Sequence, residues 1–231
     1  MKTCQKCSKQ NRSEAKYCRY CGTELTAAVA ISTDNATIDL ASSPDGLLAK
    51  DSIKDTLKKF GVRCTSTKEF MRITGTSMRQ FDCLIIGDAG TGKRYMADHL
   101  CAQLYKHKLS KSPKPTTIDA ADWPEYLEKL DENLNLIKDS VLHITNCQDI
   151  VSDDGAGDLD KLFARMRNNP DNLPIIMLSG LKEGFGAFIK ENKNISALFE
   201  FTFHLNAFTD KELSCLCYDF IEKKFKMKRQ K

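Results

Sequence analysis

A glycine-rich stretch of the chain, "GDAGTGKR", has the residue types and the spacing of a phosphate-binding loop. It matches the pattern G-x-x-x-x-G-K-[ST] at every position except the last, where arginine replaces the hydroxyl residue. In such loops the backbone N–H groups and the lysine bind phosphate oxygens, while the serine or threonine holds Mg²⁺. The residues predicted to bind a nucleotide are Gly87, Asp88, Ala89, Gly90, Thr91, Gly92, Lys93 and Arg94.

The last residue of this loop decides which ligands it suits. The guanidinium group of Arg94 has no lone pair to offer a metal ion. It can contact phosphate oxygens directly and take over part of the cation's charge, or it can point to solvent from the first turn of a helix. The sequence therefore predicts ATP or ADP as the ligand and argues against Mg²⁺, with a glycine turn that binds nothing as the alternative.

Two C-x-x-C hooks near the N-terminus have the spacing of a metal site. Four thiolates in two such hooks can surround Zn²⁺ tetrahedrally. A segment this short cannot bury enough apolar surface to fold alone, so the metal would supply the missing free energy. The predicted ligands of a structural zinc are Cys4, Cys7, Cys18 and Cys21. A redox pair is the alternative use of such hooks.

Positive charge is concentrated at the two ends of the chain. Residues 1–26 hold six Lys/Arg and two Asp/Glu, and residues 222–231 hold six Lys/Arg and one Glu. With a total of +4, the remainder carries 4 − 4 − 5 = −5. A basic ribbon and a basic tail suit nucleic acid or an acidic protein partner, and solvated lysines are the alternative. The sequence does not decide whether the ribbon docks on protein or on nucleic acid.

Composition places the chain among globular proteins outside the membrane. It has 231 residues, of which 41% are hydrophobic and 29% charged. No apolar run approaches the roughly 20 residues that a membrane helix needs, and the N-terminus lacks the apolar core of a signal peptide. We therefore expect a cytoplasmic protein that contacts no membrane.

The other cysteines and the histidines suggest no site of their own. Six cysteines are scattered through apolar stretches and are expected to be buried free thiols. These are Cys64, Cys83, Cys101, Cys147, Cys215 and Cys217. The four histidines are too dispersed to indicate a site, and the two that follow the glycine-rich loop, His99 and His107, are expected at the surface.

The pattern of apolar residues predicts four regions. These are a zinc ribbon (1–26), a flexible linker (27–46), a strand-and-helix domain (47–221) and a basic tail (222–231). Predicted strands include "FDCLIIG", "TTIDA", "SVLHIT", "LPIIMLSG" and "LFEFTFHL", and predicted helices cover 52–60, 95–109, 123–137 and 158–169. A helix after 209 has Thr209 as N-cap and Glu212 in a capping box. Alternating buried strands and helices indicate an α/β fold with a parallel sheet covered on both faces.

The order of these segments resembles that of the CbxX/CfqX-type AAA+ ATPases, which include Rubisco-activase-like and sporulation stage V protein K-like members. The matching pieces are "LLAKDSIKDTLKKF", the loop, "TTIDAADWPEYL", "SVLHITNCQDI", "GDLDKLFARMRNN…LPIIMLSG" and "ENKNISALFEFTFHLNAFTDKEL", roughly residues 47–215. The resemblance implies a P-loop sheet of the AAA+ type preceded here by a zinc ribbon. It also implies that the helical lid is largely missing, since the chain reaches only about 20 residues into it.

The hydrolytic residues that the resemblance implies are replaced in this chain. Members of the family end the second core strand after the loop in Asp-Glu, where this chain has Thr145–Asn146–Cys147. Ungapped alignment puts Ser196 and Leu198 at the two arginine positions that contact a neighbouring subunit. A general base is worth about 10²–10⁴-fold in rate and an arginine finger about 10³–10⁵-fold. Ser179 remains as a weak polar sensor.

These substitutions predict a degenerate ATPase. The leading interpretation is a nucleotide-binding, hydrolysis-deficient adaptor or regulatory protein whose zinc ribbon docks a protein partner, for which an active AAA+ subunit is one candidate. One alternative is an active ATPase completed by a partner subunit or by a relocated carboxylate such as Asp149. Another is a nucleic-acid-associated zinc-ribbon protein, and a last one is a scaffold that has lost its nucleotide. Whether the chain is an enzyme stays open at this point.

Overall fold

The computed structural model describes residues 2–3, 10–11, 51–74, 81–151, 157–168, 173–214, 217 and 221. The chain divides into two compact units, Met1–Asp39 and Leu40–Lys231. The division falls inside the predicted linker 27–46, which lies outside the described residues, as does the basic tail 222–231. The boundaries of the four regions therefore stay predictions.

The N-terminal unit contains a short antiparallel pair of strands. Strand β1 (Lys2–Thr3) pairs with β2 (Gln10–Asn11). These strands precede and follow the first cysteine hook, so the chain reverses direction across it. The four predicted zinc ligands themselves lie outside the described residues.

The second unit alternates strands with helices along the chain. Its strands are β3 (Cys83–Gly87), β4 (Thr116–Asp119), β5 (Val141–Thr145), β6 (Ile175–Gly180) and β7 (Phe201–Leu205). Its helices are α1 (Asp51–Thr74), α2 (Lys93–Lys106), α3 (Trp123–Glu128), α4 (Leu130–Leu136), α5 (Asp160–Asn168), α6 (Ala187–Glu191) and α7 (Lys193–Ser196). Short 3₁₀ turns lie at Ala120–Asp122, Cys147–Asp149 and Gly157–Leu159, and a π-helical turn at Lys182–Gly186.

The five strands form one parallel sheet in the order β4-β5-β6-β3-β7. Strand β3, which leads into the glycine-rich loop, is therefore an interior strand between β6 and β7, with Ile85 opposite Ser179 of β6 and Phe203 of β7. Because parallel strands end at the same edge, the segments that follow β3, β4, β5 and β6 meet there. Ligands of open α/β sheets bind at this carboxyl edge.

Successive residues of each strand point to opposite faces of the sheet, and both faces are covered. On one face Leu84 and Ile86 pack against α3 to α7. On the other, Cys83 and Ile85 pack against α1 and α2. We call this second side the α2 face. The α/β fold with a parallel sheet and helices on both faces is confirmed.

Most predicted elements are confirmed, with shifts at their ends. The predicted helix 123–137 is interrupted at Lys129, whose backbone (φ −120°, ψ 36°) leaves the helical region between α3 and α4. Strand β7 begins at Phe201 instead of residue 198. The capping box is present, since the Thr209 N–H donates to Glu212 Oε2 over 2.7 Å and the Glu212 N–H donates to Thr209 Oγ1 over 3.3 Å.

The thiols outside the hooks are only partly as expected. Cys64, Cys83, Cys101 and Cys147 are buried and free, as predicted. Cys217 is exposed, so the expectation of burial is wrong for this residue. Within the described part of the chain, none of the helices combines the length and the apolar character needed to cross a membrane.

Candidate functional site

The glycine-rich loop leaves the carboxyl end of β3 by way of Gly87. A Cβ atom at this position would lie 2.6 Å from the Leu205 carbonyl oxygen of the adjacent β7, closer than real contacts allow. Gly90 and Gly92 have φ values of 73° and 89°, in the region that side chains strongly disfavour. The close approach of β7 therefore requires glycine at position 87, while Gly90 and Gly92 supply a left-handed backbone that glycine adopts without strain.

The centre of the loop is held by its own hydrogen bonds. Thr91 is only 2% exposed, and its hydroxyl donates to the Asp88 carbonyl oxygen over 2.8 Å. Asp88 and Ala89 are exposed on the outside of the turn, and the Asp88 carboxylate lies 3.8 Å from Lys182 Nζ. The buried threonine thus closes the turn from within, while the flanking residues stay accessible.

Lys93 begins α2 and turns back over the loop. Its ammonium group donates to the carbonyl oxygens of Gly87, over 2.9 Å, and of Asp88, over 2.8 Å. Burial lowers the pKa of Lys93, and the nearby Asp88 carboxylate opposes this shift. An oxyanion placed beside this partly desolvated ammonium would be bound by charge-assisted hydrogen bonds.

The N-terminus of α2 presents amide groups and no negative charge. Its first intrahelical bond runs from the Met96 N–H to the Gly92 carbonyl oxygen, over 2.9 Å. In the described structure, no side chain caps the helix and its first turn contains no acidic residue. Backbone amides ahead of the first intrahelical bond, together with the helix dipole, favour an anion at this end. The eight predicted nucleotide-binding residues are thus contiguous around one helix N-terminus.

Arg94 occupies the first turn of α2 and is exposed. A magnesium ion in a P-loop needs an oxygen ligand at this position, and Arg94 offers only N–H donors. The second position that would serve the metal, at the end of β5, carries Thr145 and Asn146. Arg94, Thr145 and Asn146 therefore do not provide the usual protein ligands of a magnesium ion in a P-loop.

A carboxylate from the neighbouring strand lies at the end of β5. Asp119, the last residue of β4, accepts hydrogen bonds at Oδ2 from Thr145 Oγ1 (2.9 Å) and Asn146 Nδ2 (2.8 Å). Its Oδ1 accepts from the Ala121 N–H over 3.2 Å. Asp119 is therefore held as a hydrogen-bonded anion beside Thr145 and Asn146.

The pKa of Asp119 reflects these contacts. Partial burial would raise it, but the bonds from Ala121, Thr145 and Asn146, with the positive charge of Arg94, outweigh that effect and lower the pKa. A carboxylate of lowered pKa is a poor general base at neutral pH. Asp119 is thus better suited to balancing charge than to activating water.

A buried histidine, His143, lies two residues before Thr145 in β5. His143 is fully buried, and its Nε2 lies 2.9 Å from Ser179 Oγ on β6. Burial, and secondarily the charge of Arg94, lower the pKa of His143 to about 3, so the ring is neutral at physiological pH. The Ser179 hydroxyl, only 1% exposed, is also 3.4 Å from the Ile144 carbonyl oxygen.

The sequence did not identify Asp119 or His143 as members of the site. The two become neighbours of the loop only through the order of strands in the sheet. The available signal was weak: Asp119 ends a predicted strand, and parallel strand ends meet at one edge. Asp149, which the sequence offered as a relocated carboxylate, is exposed in the 3₁₀ turn after β5 and accepts from Gln148 Nε2 over 3.2 Å.

Comparison with known proteins supports the ribbon and adds two distant structural neighbours. The family profile described as a zinc-ribbon domain matches residues 3–25, which confirms the predicted ribbon as a sequence feature. No curated protein matches the chain. The CbxX/CfqX-type assignment stays a prediction.

Solved structures that match the chain include a variant of Thermotoga maritima RuvB and the AAA domain of FIGL-1. The RuvB structure is 13% identical with a TM-score of 0.49, and the match covers 78% of this chain and 55% of that one. The FIGL-1 domain is 12% identical with a TM-score of 0.49, and the match covers 74% of this chain and 57% of that one. This chain therefore spans little more than half the length of either neighbour.

Proposed function

We propose that this protein binds ATP or ADP at the loop 87–94, hydrolyses it little or not at all, and serves as an adaptor or regulatory subunit. One combination of features carries the proposal. A loop of phosphate-binding shape ends in Arg94, and β5 ends in Thr145 and Asn146, whereas a hydrolytic site of this kind needs a metal ligand and a pair of acids at these positions.

The binding half of the proposal rests on the loop and on Lys93. The lysine is anchored 2.8–2.9 Å from two loop carbonyl oxygens, at an uncapped helix N-terminus, in surroundings that lower its pKa. A phosphate group at this place would restore the preference of Lys93 for its charged form. Gly87, Gly90 and Gly92 keep side chains away from the same space.

Titration with a fluorescent ATP analogue tests the binding half, with Lys93→Ala as the variant. Loss of one charge-assisted contact is expected to weaken binding by about 10- to 100-fold. Lys190→Ala, which removes an exposed lysine on α6, is the matched control and should bind as the wild type does. Equal affinity of wild type and Lys93→Ala would contradict this location of the site.

The hydrolytic half rests on the lack of a carboxylate suited to act as a base at Thr145 and Asn146, at the end of β5. Asp119 is stabilised as an anion by three hydrogen bonds, and Asn146 has no carboxylate to offer. Phosphate release by the zinc-loaded protein is expected to stay far below the roughly 1 s⁻¹ at the lower end of ordinary enzymes. Turnover on that order, abolished by Asp149→Ala, would instead establish the relocated-carboxylate alternative.

The proposed partner is a protein that docks on the zinc ribbon. Nucleic acid is the second candidate partner, because the ribbon and the basic tail both carry net positive charge. The salt dependence of binding distinguishes the two candidates. Nucleic-acid binding through phosphate contacts should weaken steeply between low and moderate salt, whereas a docked protein should be held with a much smaller dependence.

A further inference from the structure

Three polar residues of β4 and β5 lie on the α2 face of the sheet. In β5, Val141 packs on the α2 side and Leu142 and Ile144 on the opposite side. Strand alternation therefore puts His143 and Thr145 on the α2 face. The same reasoning places Asp119 there, because Ile118 packs on the opposite side.

His143 and Asp119 carry acceptor atoms on this face of the sheet. Where Ser179 donates its hydroxyl hydrogen to the Ile144 carbonyl oxygen, His143 Nε2 carries the ring hydrogen and Nδ1 is left as an acceptor. Nδ1 is buried and has no hydrogen-bond partner within the described structure. Asp119 adds a carboxylate. A group that only donates, such as a guanidinium, is complementary to such surroundings.

Arg94 carries such a group. It lies at the start of α2, which packs on this same face of the sheet, and its positive charge contributes to the lowered pKa of Asp119 and of His143. It is also the second residue of α2, next to Lys93, whose ammonium marks the phosphate end of the loop. A phosphate held by the loop would therefore lie beside a fixed positive charge that belongs to the protein.

A magnesium ion would be poorly held at the same place. Two hydrogen bonds use Asp119 Oδ2 and a third uses Oδ1, so few lone pairs remain for a metal. A divalent cation would also be repelled by Arg94. The strong preference of magnesium for a full octahedral set of oxygen ligands makes such a site costly.

We propose that the loop takes the free polyphosphate of ATP or ADP, without a divalent cation, and that Arg94 supplies the positive charge that Mg²⁺ supplies in ordinary P-loops. The proposal rests on nucleotide binding at residues 87–94 and adds the ionic form of the ligand. It assigns Arg94 to phosphate binding.

Competition between ATP and the fluorescent analogue tests this, once in EDTA and once in excess Mg²⁺ at equal ionic strength. Because excess Mg²⁺ converts ATP into its magnesium complex, the wild-type dissociation constant should be no lower in excess Mg²⁺ than in EDTA. In Arg94→Thr the metal-free dissociation constant should rise by about tenfold or more. The new hydroxyl at this position also allows Mg²⁺ to recover part of the lost affinity.

Two further variants test whether a change in affinity is specific to the charge at position 94. Arg94→Lys keeps the charge and should retain most of the metal-free affinity. Arg72→Thr removes an exposed arginine of α1 that binds Glu69, and should leave both dissociation constants unchanged. Thermal unfolding of each variant shows that the fold is intact.

The outcomes separate this inference from the proposed function. If ATP binds about tenfold more tightly with Mg²⁺ in the wild type, or if Arg94→Thr leaves the metal-free constant unchanged, Arg94 does not replace the metal and only this inference falls. If the wild type binds no nucleotide in either buffer, nucleotide binding itself is refuted and both fall together.

Discussion

The side-chain amide of Asn146 donates to the Asp119 carboxylate over 2.8 Å and so joins the ends of two neighbouring parallel strands. Asn146 itself has a left-handed backbone, with φ 57° and ψ 36°. Asparagine is among the few residues other than glycine that adopt this conformation readily. Asn146 therefore provides both the left-handed turn after β5 and a hydrogen bond that fixes the Asp119 carboxylate.

These two roles can be separated with a pair of substitutions at Asn146. Asn146→Gly loses the hydrogen bond but keeps the backbone, and should lower the free energy of unfolding by about 1 kcal/mol. Asn146→Ala loses the bond and also has to adopt a left-handed backbone, which costs about 1–2 kcal/mol more. Urea unfolding measures both. An alanine variant as stable as the glycine variant would mean that the backbone at this position relaxes without cost.

The elements that carry the loop could be predicted from the sequence because their signals are local. "FDCLIIG" followed by glycines and a helical pattern predicts β3, the loop and α2, and all three are present. Asp119 and His143 could not be found in this way. Their role depends on which strands are neighbours, and β4 and β5 reach the loop region only through the order β4-β5-β6-β3-β7.

The limits of each element were less predictable than its existence. The break at Lys129 interrupts a stretch whose apolar spacing reads as one helix, and the packing of Leu130 and Leu134 under the sheet decides where the second helix starts. Tertiary packing overrides helix propensity in such cases. The absence of a carboxylate at Thr145 and Asn146 can be read from the sequence, but their hydrogen-bond partner Asp119 cannot.

Burial of neutral His143 should make the protein acid-sensitive. Its pKa falls from the ordinary value near 6.5 to about 3, so the unfolded chain binds a proton that the folded protein excludes. The free energy of unfolding is then unaffected above about pH 6.5 and falls as the pH drops below it, by at most about 1.4 kcal/mol per pH unit.

Urea unfolding of wild type and His143→Gln between pH 7 and pH 4 measures this contribution. The variant should show a shallower decline, because the residue that titrates has been removed. Ser179→Ala keeps the imidazole and serves as the control: it should be less stable at pH 7 yet retain the wild-type slope. Parallel profiles for wild type and His143→Gln would show that other groups cause the acid sensitivity.

Asparagine should be tolerated at Gly90 of the loop but should destabilise the protein at Gly87. At Gly90 a Cβ would meet nothing within 4 Å, and asparagine tolerates the φ of 73°, so Gly90→Asn should cost less than about 1 kcal/mol. At Gly87 the added Cβ would lie 2.6 Å from the Leu205 backbone oxygen. Gly87→Asn must push β3 away from β7 and should cost about 1–3 kcal/mol or more.

The same pair of variants bears on ligand binding. Gly90→Asn leaves the strand and α2 in place, so any loss of affinity for the ATP analogue reports crowding at the loop itself. Gly87→Asn displaces the carbonyl oxygen to which Lys93 donates and should weaken binding together with stability. Thermal unfolding ranks the stabilities, and a Gly87→Asn protein as stable as the wild type would contradict the close approach of β3 and β7.

Zinc removal should unfold the N-terminal unit. Residues 3–25 match a zinc-ribbon domain and are too few to bury a sufficient core, so bound metal is expected to supply their folding free energy. The purified protein should contain about one zinc ion per chain, and Cys18→Ser should contain none, because a tetrahedral structural site needs all four thiolates. Cys217→Ser, at an exposed cysteine outside the hooks, is the control and should keep its zinc.

Limited proteolysis shows what the metal does for the fold. In wild-type protein residues 3–25, which match the zinc-ribbon domain, should resist cleavage until a chelator is added, and in Cys18→Ser they should be cleaved from the start. The second unit has its own two-sided core, so its fragment should persist in both cases. Zinc retained by Cys18→Ser would mean that the two hooks do not form one site, and the docking role proposed for the ribbon would lose its structural basis.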